Sequence, residues 1–271
     1  MRADFKRSIQ ENRPMTLIIK PEASCQGKGI FLIRELEDIV IDESCVIQEY
    51  INKPLLMDKM KFDLRLYVLV LGIDPLRIYL SREGLARLST KHYEEVNDAN
   101  VEDMTMHLTN YAINKNSHKF QQNRAAILDS VGHKRSLKYS LKYIKKEMGV
   151  LPDDLMKDIK DIIVKTLISG QPIISEAFQQ CQLDDFENSM CFEILGFDIM
   201  FDEKAKPYLL EVNHSPSFST DSPIDEKIKG ELIRDTIRIL GMTRRRKAMY
   251  KRNMQMHLDH RIMNGKFLRV P

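Results

Sequence analysis

The stretch that most constrains this 271-residue chain is Gly196–Phe218, GFDIMFDEKAKPYLLEVNHSPSF. Two runs of strand-forming residues, Phe197–Phe201 and Tyr208–Val212, flank the polar, turn-prone Asp202–Lys206. Paired as an antiparallel hairpin centred between Lys204 and Ala205, they set Asp198 directly opposite Glu211. Asn213 then lies two residues beyond Glu211 on the same face. Like charges directly opposite each other on a sheet are unfavourable, and the neighbouring residues are apolar enough to be buried. A divalent cation resolves that conflict. Two carboxylates and an amide oxygen are hard ligands, and Mg²⁺ takes one or two carboxylates and fills its octahedron with phosphate oxygens and water. The alternative is a solvated hairpin whose acidic pair points outward.

The rest of the composition narrows the class. Hydrophobic residues make up 43% and charged residues 30%, an ordinary globular balance, and the net charge is only +3. The four cysteines (Cys25, Cys45, Cys181, Cys191) show no CxxC spacing, so reduced thiols in a cytosolic protein are expected. No apolar run reaches membrane-spanning length, and neither end carries a lipidation motif. The chain enters a strand pattern almost at once after MRADFKRSIQENRPM, with no element before it to build an N-terminal layer.

In chain order, Thr16–Lys20 is a short strand closed by Pro21, running into the small-residue loop Glu22–Gly29. Gly27-Lys28-Gly29 suits a loop whose backbone N–H groups and ammonium cover phosphates, or an ordinary turn between strands. Neither a GxxxxGK[ST] loop nor a GxGxxG fingerprint is present. Val46–Ile51 reads as a second strand broken by Asn52–Pro54. Lys61–Leu71 alternates at its start, with Lys61, Asp63 and Arg65 on one face and Phe62, Leu64 and Leu66 on the other. Those three charges mark either an outer edge or the wall of an anionic site, and the apolar continuation Tyr67–Leu71 favours the anionic site over the edge. A turn at Gly72–Pro75 leads to a return strand, Leu76–Leu80, and then to Arg82 and Arg87. Thr109 and Asn110 are either donors to phosphate or carboxylate, or turn formers.

Asn114–Lys138 is polar and basic, and reads as a long loop. Pro152–Gly170 is a helix with one apolar stripe, Leu155, Ile159, Ile162, Ile163 and Leu167. Asp225–Leu240 repeats the pattern through Ile228, Leu232, Ile233, Ile237 and Leu240. After Gly241 the chain carries Arg244, Arg245, Arg246, Lys247, Lys251, Arg252 and Arg261 against Asp259. That is a solvated helix face or a surface for an acidic partner.

The blocks IIKPEASCQGKGIF, VIQEYINKPLL, KFDLRLYVLV, DPLRIYLSREGLAR, MHLTNYAINK and CFEILGFDIMFDEKAKPYLLEVNHSPSFSTDS resemble the tubulin tyrosine ligase-like family of ATP-grasp amino-acid ligases. The resemblance is co-linear from about Thr16 to Leu240, and its wording is nearest to the chain-elongating tubulin polyglutamylases. It implies an α/β (α+β) ATP-grasp fold. Residues 1–56 would be part of the central subdomain, 57–241 the C-terminal subdomain and 242–271 a basic helical tail, with the family's N-terminal subdomain missing.

The resemblance also implies roles. Lys20 and Gly27, Lys28 and Gly29 would engage ATP phosphates, and Gln48, Glu49, Tyr50 and Ile51 would form the hinge over adenine. Lys61 and Asp63 would hold nucleotide around the ribose, with Thr109 and Asn110 completing the nucleotide and substrate edge. Arg65 and Arg87 would face the γ-phosphate and acyl-phosphate, and Asp198, Glu211 and Asn213 would hold Mg²⁺. No nucleophile is required, so Cys25 and Cys191 carry no catalytic role. The implied partners are free glutamate and the acidic C-terminal tails of tubulin on microtubules, with no nucleic acid and no membrane. The implied state is a monomer in the cytoplasm, on the cytoskeleton, at a cilium or basal body. Alternatives on the same scaffold are a tubulin glycylase and a non-catalytic microtubule-binding paralogue, and the missing front subdomain would leave this chain weakly active or inactive alone.

Overall fold

The computed structural model describes residues 15–22, 27–34, 44–123, 131–181 and 191–263. Cys25, most of the expected N-terminal segment and the end of the basic tail lie outside the described residues.

Two antiparallel sheets carry the chain. The smaller has the order β2-β1-β3, from β1 (Leu17–Pro21), β2 (Phe31–Ile33) and β3 (Cys45–Glu49). Three-residue β2 was not expected, being too short to show an alternation. Leu17 and Ile19 pack with Ile33 on one side of this sheet. On the other side Ile18, Leu32 and Tyr50 pack with Leu108, Tyr93, Val96 and Val101, docking the sheet on the connection that follows the second sheet's long hairpin.

The larger sheet has the order β7-β6-β5-β8-β9, with β4 (Leu56–Met57) also paired to β5. Its centre is the hairpin of β5 (Met60–Ile73) and β6 (Leu76–His92). The return strand is therefore 17 residues long and includes Arg82 and Arg87, well past the expected Leu80. Gly84 permits this continuation: a Cβ there would lie 2.7 Å from the Arg65 carbonyl oxygen, beside the register shift between Leu66 and Val68. β7 (Lys134–Ser136), β8 (Phe192–Phe201) and β9 (Pro207–Asn213) complete the sheet.

The alternation in β5 divides the protein. Phe62, Leu64, Leu66 and Val68 join Phe197, Ile199 and Phe201 of β8 in the main core, covered by α3 (Leu137–Met148) and α4 (Pro152–Cys181). Tyr67, Leu69, Leu85 and Ile194 lie on the opposite face under α5 (Pro223–Leu240). The charges Lys61, Asp63 and Arg65 share that second face, beyond the end of α5. Short helices α1 (Met104–His107) and α2 (Tyr111–Asn114) close the flank, and α6 (Arg244–Met263) ends the described chain. Among the described residues no helix is long and apolar enough to cross a membrane.

Three expectations are corrected. The polar stretch 114–138 is not one long loop: it holds the end of α2, β7 and the start of α3, although residues 124–130 lie outside the described ones. Two of its basic residues, Lys134 and Arg135, are buried because acids distant in sequence meet them, Lys134 pairing with Asp225 at 2.7 Å and Arg135 with Asp58. Local composition cannot register such partners. Helix α4 does not stop at Gly170 but runs on through Pro172 to Cys181. In α5 the buried ridge is Ile224, Ile228, Leu232, Thr236 and Leu240, while Ile233 and Ile237 are 39% and 51% exposed. The helix starts at Pro223, after Ser222 whose hydroxyl accepts the Asp225 N–H, and ends at left-handed Gly241.

The core assignment has a direct consequence. Ile159→Ala, at a fully buried position under the sheet, is expected to lower stability by about 2–5 kcal/mol, whereas Ile237→Ala should stay within about 0.5 kcal/mol. Urea denaturation of the two variants measures both. Equal losses would mean that the Ile237 face of α5 is packed as tightly as the Ile159 stripe of α4.

Candidate active site

A cavity of about 560 Å³ opens between the two sheets. The small sheet supplies Ile18, Lys20 and Gln48, and the segment Glu49–Lys53 crosses from one sheet to the other along its edge. The large sheet supplies Lys61, Asp63, Arg87, Asp198, Met200 and Glu211, and His107–Asn110 closes a further side. The turn Asp202–Lys204 and Tyr208 also line it.

Charges meet at its inner end because β6, β5, β8 and β9 lie side by side. Asp63 is the cross-strand partner of Arg87, Arg65 of Asp198, and Asp198 of Glu211. Arg87 donates Nε to Asp63 Oδ1 at 2.8 Å and Nη2 to Asp63 Oδ2, and the same Nη2 reaches Asp198 Oδ2 at 2.7 Å. Arg65 donates Nη2 to Asp198 Oδ2 at 2.9 Å and Nε to Oδ1, with Glu211 Oε1 at 4.0 Å. Burial alone would raise the Asp198 carboxyl, but Arg87 and Arg65 hold it well below the usual carboxylate range. The same pairing holds the Arg87 guanidinium charged against its burial. Glu211, half-exposed, is pushed up by burial and by the neighbouring Asp198 charge.

The expected hairpin register holds where the chemistry is and slips beyond it. Gly196, Phe197 and Asp198 face Asn213, Val212 and Glu211, and the acidic pair lines the cavity, with Asp198 only 1% exposed and Glu211 half-exposed. Toward the turn Ile199 faces Leu209, leaving Leu210 as an extra residue. The outer half is thus symmetric about Lys204 rather than about the Lys204–Ala205 bond. A bulge of this kind bends one strand and re-aims its side chains.

The donor set fits a hard divalent cation. Asn213 Nδ2 donates to Glu211 Oε1 at 3.0 Å, which gathers the amide beside the two carboxylates. Among the described residues no group of three or more His, Cys, Asp or Glu is arranged to hold an ion. An ion here would therefore take much of its coordination from its ligand's oxygens and water, as Mg²⁺ does.

Of the residues singled out by sequence, twelve line the cavity together: Lys20, Gln48, Glu49, Tyr50, Ile51, Lys61, Asp63, Arg87, Thr109, Asn110, Asp198 and Glu211. Arg65 instead braces Asp198 from beside Gly196, where a Cβ would lie 3.2 Å from the Arg65 Cδ. Asn213 sits beside Glu211. Gly27, Lys28 and Gly29 are a turn outside the lining, with Gly27 (φ 81°) packed so closely on Asn110 and Ile113 that a Cβ would lie 2.7 Å from Ile113 Cδ1. Lys20 Nζ donates to Gln48 Oε1 at 2.9 Å; burial lowers its pKa, opposed by Glu211 and Asp198 across the cavity. Cys191 is an exposed free thiol before β8.

Several lining residues were not foreseen. Met200, Asp202, Glu203, Lys204 and Tyr208 belong to a hairpin in which only Asp198, Glu211 and Asn213 were singled out. His107, fully buried, stood in a quoted block without a role. Its signal was a lone polar ring between apolar Met106 and Leu108.

Comparison with known proteins bears on this geometry. The model of the tubulin-tyrosine ligase family matches residues 1–248. A protein of Tetrahymena thermophila named probable beta-tubulin polyglutamylase is 49% identical over 265 residues, covering 97% of this chain and 22% of that protein. Tubulin polyglutamylase ttll6 of Danio rerio is 45% identical over 240 residues, 89% of this chain and 30% of that protein. Tubulin polyglutamylase TTLL6 of Homo sapiens is 45% identical over 239 residues, 88% of this chain and 26% of that protein. The chain thus spans about a quarter of the length of these curated relatives. With the family model running through both sheets, the inter-sheet cavity and α5, the chain belongs to the tubulin-tyrosine ligase family.

Proposed function

We propose that the chain is the ATP-grasp core of a ligase that adds glutamate to glutamate side chains on tubulin C-terminal tails. The observation that carries this reading is the cluster of Arg87, Arg65, Asp63, Asp198 and Glu211 at the inner end of a cavity large enough for a nucleotide. Named tubulin polyglutamylases 44–49% identical to the chain support the substrate class. In this reading β1–β3 belong to the central subdomain, the six-stranded sheet and its helices to the C-terminal one, and α6 to a basic tail.

The reaction forms an amide in two steps. An oxygen of the acceptor carboxylate attacks the γ-phosphorus of ATP, the bond to the β-phosphate oxygen breaks, and ADP leaves an acyl-phosphate. The amino group of free glutamate then attacks the acyl carbon, phosphate departs, and the nitrogen sheds its proton as the amide forms. Arg87, with Arg65 behind it, is placed to stabilise charge on the phosphoryl oxygens. Such a preorganised donor contributes on the order of 10²-fold or more. Lys20 approaches from the opposite sheet, and Thr109 and Asn110 orient substrate at the edge. Lys61 holds the nucleotide where the ribose meets the phosphates, and the Gln48–Ile51 segment holds the adenine. Asp198, Glu211 and Asn213 would hold Mg²⁺, which would supply positive charge against the phosphate oxygens. The basic residues of α6 suit an acidic polymer by charge complementarity, which supports a location on the cytoskeleton.

Incubation with ATP, Mg²⁺, glutamate and a glutamylated tubulin tail peptide tests the reading, with mass spectrometry of the peptide. Additions of one glutamyl unit at a time are expected. Glycyl additions when glycine is supplied would indicate a glycylase, and microtubule binding with no addition would indicate a non-catalytic protein.

A further inference from the structure

Lys61 is an unusual cation. It is buried, and its Nζ donates to the Tyr50 hydroxyl at 2.8 Å and to the His107 carbonyl at 2.9 Å, while lying 4.0 Å from the Tyr50 ring centroid. Among the described residues no carboxylate forms an ion pair with it. Its ammonium therefore depends on neutral acceptors, and their hydrogen positions decide whether it is held or repelled.

Those positions follow from one carbonyl. His107 Nε2 lies 2.9 Å from the Asn100 carbonyl oxygen, which only accepts, so Nε2 carries a hydrogen. Burial lowers the His107 pKa, and the Lys61 charge lowers it further, so the ring is neutral and Nδ1 is an acceptor. Nδ1 is 3.1 Å from the Tyr50 hydroxyl. The Tyr50 hydroxyl then donates to Nδ1, in preference to the Tyr93 hydroxyl oxygen that it also reaches, which leaves its oxygen lone pairs facing Lys61. Edge contacts of the His107 ring with Tyr50 and Tyr93 keep it in place, and the Tyr93 hydroxyl is itself committed to the Asn52 carbonyl at 2.6 Å.

We propose that His107 is a positioning residue: fixed in one tautomer by Asn100, it orients the Tyr50 hydroxyl toward itself and so secures Lys61 as the cation that meets a phosphorylated ligand. This rests on the nucleotide reading of the cavity. Aligned donors in series polarise one another, so Tyr50 is a better acceptor for Lys61 while it donates to His107. The other charged or titratable groups facing this chain are Tyr93 just after β6, whose hydroxyl also bonds the Tyr50 hydroxyl, Asp63 on β5 and Lys20 on β1, with Asp103 before α1.

A pH signature follows. Burial lowers the Lys61 ammonium to about 7, with Asp63 raising it and Lys20 lowering it. An anionic ligand favours the charged form. Affinity is then full below that value and falls as pH rises through it, by up to about tenfold per pH unit, until the liganded value is reached.

The test is titration with a fluorescent ATP analogue from about pH 6 to about pH 9, read against this linkage. Wild type should lose affinity above about 7. His107→Phe, which keeps the ring and removes the acceptor, should move that inflection down by about one pH unit, or about tenfold in affinity between the two inflections. His107→Asn, whose amide oxygen can replace Nδ1, should restore it. Tyr50→Phe, a close isostere, should shift it as His107→Phe does and carries the test if the latter fails to fold. An unmoved inflection in the Phe variants, or no rescue by His107→Asn, overturns the proposal. Nitrogen-15 shifts of the His107 ring in the unliganded protein give a second reading. A neutral ring protonated on Nε2 is expected, and protonation on Nδ1 overturns the relay whatever binds. Absent nucleotide binding with that tautomer intact would instead sink the ligase reading and, with it, the ligand role of Lys61.

Discussion

Arg87→Ala is expected to lower stability by about 3–5 kcal/mol, the usual result of removing one partner from a buried ion pair, and to abolish turnover as well. Both oxygens of Asp63, a residue only 1% exposed, accept from Arg87. Asp198 loses one of its two guanidinium partners but keeps Arg65. The cost is therefore concentrated on Asp63, which would be left in the interior without its bidentate partner. Asp63→Asn in the Arg87→Ala background should recover part of the loss, because it removes the stranded charge. Arg65→Ala should cost less, since Asp198 keeps Arg87. The sign of the acid response follows from Asp198. Its folded pKa is depressed, so its contribution is present above the ordinary carboxylate value and is lost as pH falls toward the folded one. With Arg87 gone the depression shrinks, so the gap between wild type and variant should narrow below about pH 4. Urea denaturation across that range measures it, and equal losses for Arg65→Ala and Arg87→Ala would refute the assignment of the cost to Asp63.

What could be read from the sequence followed the range of the interactions concerned. Lys61, Asp63 and Arg65 on one face of β5, and Asp198 facing Glu211, are consequences of the two-residue period of a strand and a short turn. Both lie within a few residues of the pattern that reveals them. The pairing of Asp63 with Arg87 needed the full length of β6, and so depended on Gly84 fitting against the Arg65 carbonyl. The slip at Leu210 was invisible because a bulge leaves both flanking runs looking like strands. Lys134 and Arg135 were misplaced because Asp225 and Asp58, which make their burial tolerable, are far away in the chain. Ile233 and Ile237 were wrongly given to the core of α5: hydropathy marks them as apolar, but the helix packs through its four-residue ridge. The Tyr50–His107–Lys61 contacts join three separate segments and carry no local pattern at all.

Glu211→Gln is expected to remove turnover by about 10²-fold or more while leaving the fold intact. Glutamine is nearly isosteric, so the cross-strand pairing with Asp198 and the Asn213 contact can persist. Only a charge is removed. In the metal-free protein that charge opposes folding: burial and Asp198 raise the Glu211 pKa, so the ionised form is disfavoured and its cost appears as pH rises through the folded value. The variant should accordingly be as stable as wild type, or slightly more so, near neutral pH. Asp198→Asn makes the contrast. It also removes a carboxylate from the candidate ion site, but takes from Arg65 its close carboxylate partner and from Arg87 the second of its two, and should lose stability as well as activity. Peptide mass spectrometry and urea denaturation on the same preparations separate the two variants. A Glu211→Gln protein that still extends the peptide at the wild-type rate would show that this carboxylate is not needed for the chemistry. A Glu211→Gln protein as destabilised as Asp198→Asn would show instead that Glu211 belongs to the structural ion-pair network.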